Sequence, residues 1–250
     1  MLAEERFAVI LEVLQRRRAA TVAELAEALE TSESTIRRDL IILAEQGKLN
    51  KVHGGATACD TAFDAGEPAM SAKEQLNVEQ KDRIARCAAA QVQADDVVFL
   101  DAGSTTLRML EYLEPSAATF VTNGILHAQR LVQKGMKAYV LGGLLKVGTE
   151  AVVGAAAVQS LCGYNFTKAF IGINGVAVAQ GYTTPDPEEA LVKATAMRQA
   201  YISYVLADSS KFGRVSAATV APLDRACIIT DALPDKSYAK HAIIKEAEPL

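Results

Sequence analysis

The chain has 250 residues, half of them apolar and 22% charged, which supplies apolar surface for one large core or two smaller ones and excludes disordered and fibrous classes. The net charge is −4, and residues 1–57 hold eight Lys or Arg against nine Asp or Glu, so bulk charge gives a nucleic-acid partner no support. Any such reading must rest on motif and placement.

The start, MLAEERFAVI, puts two glutamates where a secretory signal needs basic residues before an apolar stretch, and no apolar run approaches the ~18 residues of a membrane span. Four scattered cysteines (Cys59, Cys87, Cys162, Cys227) and three isolated histidines offer no metal-ligand or disulfide spacing. A cytoplasmic protein without metal, cofactor or membrane partner is expected.

From Arg6 to about Gly55 the pattern is helical and free of proline. Phe7, Ile10, Leu11 and Leu14 lay one apolar stripe along a first helix that ends in Arg16, Arg17 and Arg18, where cations suit the helix C-terminus. Thr21 and Glu24 form a capping box for a short second helix with Val22, Leu25, Ala26 and Leu29 buried. After a break at Glu30 and Thr31, Ser32 caps a third helix with Ile36, Leu40 and Leu43 inward, Gly47 as terminator, and Ser34, Arg37, Arg38 and Ile41 on the outer face.

This order suits a helix-turn-helix, whose second helix enters the DNA major groove. There Arg37 and Arg38 would bond guanine edges, and Ser34 and Thr35 a phosphate or base edge. Lys48 to His53 reads as a short hairpin before Gly54 and Gly55, a basic wing in which Lys48, Lys51 and His53 would lie against the phosphate backbone. A small helical bundle with solvated charges would show the same spacing. Gly54 to Met70 has small residues, turn formers and no sustained apolar period, and reads as linker.

From Val97 onward, short β-branched runs alternate with helical stretches, which predicts an α/β domain with a mostly parallel sheet covered on both faces. Val97–Leu100 is a strand that runs through Asp101 and the loop with Gly103 into a helix opened by Ser104, Thr105 and Thr106. Backbone N–H groups, hydroxyls and the helix dipole there favour an anion such as phosphate, although an ordinary Ser/Thr helix cap would use the same residues. Further strand ends carry Thr122 and Asn123, Gly142 and Gly143, Asn174, and Asp208 with Lys211. Hydroxyls, amides, carboxylates and lysines gathered at the carboxyl edge fit a phosphorylated polyol, while singly such Asp and Asn residues are turn formers. In GYTTPDPEEALVK, Asp186 caps a helix with Pro187 first and Glu188 and Glu189 in its first turn. Ala190, Ala194, Met197 and Tyr201 form its packing face, and Lys193 is expected to pair with Glu189 at i+4, which leaves a site role for Lys193 little support.

TSESTIRRDL (Thr31 to Leu40) followed by LAEQGKLNKVHGGA (Leu43 to Ala56) resembles the winged helix-turn-helix of the DeoR family of bacterial sugar-catabolism repressors. The resemblance places the helix-turn-helix at about Ala20 to Asp39, with Asp39 paired to a neighbouring Arg because a carboxylate beside phosphates is repelled. LDAGSTTLRM, VTNG, INGV, GYTTPDPEEALVK and YVLADSSKFG resemble the family's sensor domain, similar in fold to ribose 5-phosphate isomerase and glucosamine 6-phosphate deaminase. Within the family this set most resembles the fructose-operon repressors, which implies fructose 1-phosphate as effector. By the same resemblance Lys73, Lys81 and Lys211 respond to the sugar phosphate; family members often carry an Arg near Lys73. The expected division is a winged helix-turn-helix at 1–57, a linker at 58–80 and an effector-binding domain at 81–250.

The resemblance implies a repressor that binds double-stranded operator DNA as a homodimer or homotetramer and is released by a phosphorylated sugar. The alternative is a sugar-phosphate isomerase or deaminase fused to a DNA-binding domain, with Asp101, Asp186, Glu189 or Asp208 as base; no compact catalytic signature surrounds any of them. An RNA-binding or structural adaptor lacks support, since the wing has no Phe or Tyr among its basic residues.

Overall fold

The computed structural model describes residues 2–17, 19–45, 48–58 and 69–249. Two compact units, Met1–Ala62 and Phe63–Leu250, are each built around their own core. Among the described residues, no helix is long and apolar enough to cross a membrane.

The first unit contains α1 (Ala3–Arg17), β1 (Ala19–Thr21), α2 (Val22–Ala28), α3 (Glu33–Glu45), β2 (Leu49–Val52) and β3 (Gly55–Ala58). Ile10 and Leu14 of α1, Leu25 of α2, and Ile36, Leu40 and Leu43 of α3 are fully or almost fully buried against one another. Each such side chain contributes about 1.5–3 kcal/mol relative to exposure. The predicted capping box is present: Glu24 N donates to Thr21 Oγ1 (3.2 Å), and Thr21 N donates to Glu24 Oε2 (2.7 Å).

The wing differs from the expectation. The hairpin does not close before the two glycines but turns through His53 and Gly54, with Gly54 at φ +82° and Val52 opposite Gly55. The return strand β3 uses residues that composition assigned to the linker. It is central in a β1–β3–β2 antiparallel sheet, where a Cβ on Gly55 would lie 2.3 Å from Ala20 O. Gly55 is thus a close-approach residue, which small-residue composition alone could not distinguish from a flexible one. Gly47, Arg18 and positions 59–68 of the expected linker lie outside the described residues. The end of that expected linker is helical: α4 (Met70–Gln75) and α5 (Val78–Ala89) flank Asn77, which sits in the left-handed region at φ 50°.

The second unit continues with β4 (Val97–Leu100), α6 (Ser104–Met109), β5 (Thr119–Thr122), α7 (Ile125–Gln133), β6 (Lys137–Val140), β7 (Leu144–Leu145), β8 (Val152–Val153), α8 (Ala155–Leu161), β9 (Phe166–Gly172), β10 (Gly175–Ala177), β11 (Gly181–Thr184), α9 (Pro187–Arg198), β12 (Ala200–Leu206), β13 (Ala218–Ala221), β14 (Cys227–Thr230) and β15 (Ile243–Glu246). Seven strands form one parallel sheet in the order β15-β14-β12-β9-β4-β5-β6; β10, β11 and β13 form a small antiparallel sheet, and β7 pairs with β8.

The period-2 alternation of strands divides the core. Val98, Leu100, Phe120, Phe170, Leu206 and Ile229 face α5, α6 and α7, whereas Phe99, Val121, Ala169, Ile171, Val205 and Ile228 face α8, α9 and the small sheet. Tyr201 departs from its expected place: α9 ends at Arg198, and Tyr201 lies in β12, 90% exposed. The chain leaves β4 toward β5 and β6, then returns to β9 on the other side. The gap between the carboxyl ends of β4 and β9 is therefore the switch point where α/β sheets open a crevice.

Candidate functional site

In the first unit the question is what α3 and the wing present. Ser32 terminates the preceding turn and holds its neighbours: its Oγ lies 2.8 Å from Ser34 Oγ and 2.9 Å from Thr35 Oγ1, and Thr35 N donates to it at 3.2 Å. Ser34, Arg37 and Arg38 are exposed and Thr35 is half-buried. Arg37 pairs with Glu33 one turn earlier, with both side chains about half exposed. Asp39 is buried and accepts two parallel hydrogen bonds from Arg6 of α1, Nε at 2.8 Å and Nη2 at 3.1 Å. The expected pairing of Asp39 with an arginine is present, but that arginine comes from another helix rather than from the chain beside it. The carboxylate is thereby neutralised on the inner side, and the outer side keeps both arginines. Lys48, Lys51 and His53 are exposed, before β2, on β2 and at the wing turn.

The second unit has a cleft of about 330 Å³ at the switch point. Its floor is the end of β4 (Ala102 to Thr105), the end of β9 (Gly172 to Asn174) and the segment after β12 (Asp208 to Lys211), with α4, the start of α5 and α9 around it. Five cations line it, Lys73, Lys81, Lys193, Lys211 and Arg214, against two carboxylates, Glu189 and Asp208. An anionic ligand would offset that excess.

Lys81 is buried and donates from Nζ to Lys73 O. Burial lowers its pKa to about 8, partly offset by Asp208 and reinforced by Lys211, Arg108 and Lys73. An ammonium in that setting is short of negative charge. Asp208 holds the facing loop: Oδ1 accepts from Ser210 N (3.0 Å), Ser210 Oγ and Asn77 Nδ2 (3.1 Å), which ties α5 to the end of β12.

Beneath the cleft lies Asp101, with no exposed surface. Its Oδ1 accepts from Gly103 N (3.1 Å) and Thr106 Oγ1 (2.9 Å), and its Oδ2 from Gly172 N (2.8 Å) and Lys193 Nζ. One carboxylate thus joins the ends of β4 and β9 to α9. His127 supports the same loop: its Nε2 donates to Gly103 O at 3.1 Å and lies 3.2 Å from Thr106 Oγ1, and burial lowers its pKa to about 4.

Of the thirteen expected effector residues, Gly103, Ser104, Thr105, Asn174, Lys81, Asp208 and Lys211 line the cleft. The others do not. Asp101 and Thr106 are the buried bracket under it; Thr122 Oγ1 accepts from Gly124 N; Asn123 Nδ2 donates to Val152 O. Gly142 and Gly143 end β6, three strands from β9 in the sheet, and a Cβ on Gly143 would lie 2.6 Å from Val153 O. All six share the strand-end pattern; depth separates Asp101 and Thr106 from the lining residues, and strand order separates the other four.

The expected Lys193–Glu189 pair is replaced by Lys193–Asp101, while Glu189 accepts from Lys146 Nζ (2.9 Å) and Thr149 Oγ1 (2.8 Å). Glu189, Lys193, Thr149, Asn77, Ser210 and Arg214 are polar cleft residues that sequence reasoning missed or discounted. Helix-start chemistry accounted for Glu189 and i+4 spacing for Lys193, and no local signal marks the others. The bases considered for catalysis are all engaged: Asp101 and Glu189 as above, Asp186 as the α9 cap paired with Lys146, and Asp208 in its loop.

Comparison with known proteins matches residues 6–62 to a DeoR-like helix-turn-helix domain and residues 76–232 to a DeoR C terminal sensor domain. The chain is 40% identical to the HTH-type transcriptional regulator FruR of Bacillus subtilis over the whole of both chains. It is 33% identical to a lactose phosphotransferase system repressor of Staphylococcus epidermidis, covering 84% of each. Among solved structures it is similar to ribose 5-phosphate isomerase A of Methanocaldococcus jannaschii, with a TM-score of 0.40 and 17% identity over 54% of this chain and 55% of that one.

Proposed function

The chain belongs to the DeoR family of transcriptional regulators, and we propose on that premise that it is a cytoplasmic repressor of a sugar-utilisation operon whose effector is a phosphorylated sugar. Fructose 1-phosphate heads the candidates. The observation that carries the reading is the cation-lined cleft at the sheet switch point, on the same chain as a helix-turn-helix. A volume of about 330 Å³ is at the small end of the roughly 300–1,000 Å³ of ligand pockets and suits a small metabolite.

In this reading α3 lies in the major groove with Arg37 and Arg38 toward base edges and Ser34 and Thr35 toward phosphate or base. Lys48, Lys51 and His53 of the wing follow the backbone. Arg37 exchanges Glu33 for its DNA partner. A homodimer or homotetramer presents two such helices to the operator. Effector binding shifts operator affinity only if it favours one conformation, and a differential of ~1–3 kcal/mol gives roughly 5- to 150-fold. Lys81 and Asn77 tie the chain leading from the DNA-binding unit to the cleft, so a ligand on Lys73, Lys81 and Lys211 acts on that segment first.

The test is fluorescence anisotropy of the full chain on duplex DNA from upstream of its own gene, at fixed salt, with a panel of sugar phosphates. Salt is fixed because counterion release makes affinity steeply salt-dependent. Specific binding released by one sugar phosphate is the expected result. Specific binding that no member of the panel alters would remove the effector assignment.

A further inference from the structure

The two sides of the cleft come from opposite faces of the sheet and carry different chemistry. On the α5 side, Lys73 and Lys81 face Lys211, which together make the cationic side. On the α9 side stand Glu189, Thr149, Lys193 held by Asp101 and, at the end of β9, Asn174. Glu189 is buried to 6% exposure, yet it lines the cleft. Both hydrogen bonds to it among the described residues fall on Oε1, from Lys146 and Thr149. Asn174 Oδ1 accepts from Thr184 Oγ1 at 3.0 Å, with Nδ2 as the donor group of the same amide. Lys193, one turn after Glu189, is fixed through Asp101 to Gly172, two residues before Asn174. An acceptor oxygen and an amide donor lining the same cleft form the complement of hydroxyls, each of which donates once and accepts once.

We propose that Glu189 is the specificity-determining residue of this cleft: its Oε2 accepts from a hydroxyl of the ligand's carbon chain, with Asn174 Nδ2 as a donor in the same cleft, and as an oxygen with no proton to donate it disfavours a second phosphate there. The proposal rests on the reading of the cleft as a sugar-phosphate site and adds which end of the ligand lies where. The phosphate sits among Lys73, Lys81 and Lys211, and the chain of hydroxyls extends across the sheet edge to α9. The ligand class is a sugar or polyol monophosphate. Glu189 was otherwise explained by its place in the first turn of α9, but a solvated first-turn glutamate would be neither buried nor bound from two sides.

The test is isothermal titration of the full chain with inorganic phosphate, fructose 1-phosphate, fructose 6-phosphate and fructose 1,6-bisphosphate, for wild type, Glu189→Gln and Lys146→Met. Glu189→Gln keeps an oxygen for Lys146 and Thr149 while turning the other acceptor into a donor. Its expected effects are a loss of about tenfold or more for the monophosphate that wild type binds best, the scale of a lost hydrogen bond to a charged group. Inorganic phosphate should bind unchanged, and the wild-type preference for monophosphate over bisphosphate should narrow. Lys146→Met removes a tether of the same carboxylate at a residue that does not line the cleft, without removing the acceptor, and should leave monophosphate affinity within about threefold.

Equal losses in Glu189→Gln and Lys146→Met would make Glu189 a loop tether and overturn the proposal. So would a parallel loss of inorganic phosphate binding, or unchanged monophosphate binding in Glu189→Gln. Wild-type protein that binds inorganic phosphate but none of the sugar phosphates would instead overturn the effector reading on which the proposal stands.

Discussion

Asp101 is the residue whose replacement should disturb the sensor unit most. It has no exposed surface and accepts four hydrogen bonds, two of them from backbone N–H groups of different strand ends and one from the Lys193 ammonium, whose side chain is 10% exposed. Asp101→Asn changes the shape very little. It removes the negative charge against which Lys193 is buried and turns one acceptor oxygen into an NH2 that faces existing donors. Breaking a buried pair from one side costs about 3–5 kcal/mol, and the misplaced amide keeps the expectation toward the upper part of that range.

Lys193→Met leaves a carboxylate that still has three donors and should cost less, about 1.5–3 kcal/mol. The double variant should recover part of the loss, with a coupling energy of about 2 kcal/mol or more, because the remaining amide and thioether carry no unbalanced charge. The chain has no tryptophan, so urea unfolding is followed by circular dichroism, with the change taken from the midpoint of the sensor unit's transition at constant slope. Single losses that add within about 0.5 kcal/mol would refute the argument that these two groups hold the cleft floor as a unit.

Three further outcomes follow from named groups. Arg37→Ala should weaken specific operator binding by about 1–3 kcal/mol if the side chain reads a guanine; if it touches only phosphate, affinity should fall evenly across sequences and the salt slope should drop by about one. Anisotropy at several salt concentrations separates these, and unchanged binding would remove Arg37 from the interface. Because Lys81 titrates at about 8 in the folded chain, it is charged below that pH and neutral above it, so phosphate affinity should decline as pH rises through 8 to 9 and binding there should take up a proton. Calorimetry in buffers of different ionisation heat detects the proton, and Lys81→Met should abolish the uptake. His127 has its pKa lowered from 6.5 to about 4, so the unfolded chain binds more protons between those values; the stability this group contributes is present above 6.5 and lost as pH falls toward 4, on the order of 3 kcal/mol. The urea midpoint of wild type should fall across that window more steeply than that of His127→Asn, and parallel slopes would contradict the assignment.

The helices of the first unit were legible in the sequence, while two of its three strands, β1 and β3, were not. Its helices are amphipathic and short, and their signals are local: Thr21 with Glu24, Ser32 with Thr35, and the spacing of Ile36, Leu40 and Leu43 each act within one or two turns. The alternation of strands and helices likewise led to a parallel sheet, because a strand buried on both faces reads as an apolar run, as β4 does throughout and β9 does from Ala169 to Ile171. Where the reading went astray, the missing partner was distant in the chain. Gly55 is needed because Ala20 passes over it, 35 positions away; the arginine expected for Asp39 was present, but it is Arg6, 33 positions away.

The cleft is the extreme case. Composition and strand-end pattern determined what kinds of group this protein would gather, hydroxyls, amides and lysines suited to an anion, and the helix spacing determined that Arg37 and Arg38 face outward. The order β12-β9-β4-β5 decided which of those groups meet: it brings Gly103, Asn174 and Asp208 to one crevice and leaves Asn123 and Gly143 outside it. It also turned Lys193 from Glu189, four residues away, to Asp101, 92 residues away, because a buried ammonium needs a carboxylate beneath it and only the packed sheet places one there.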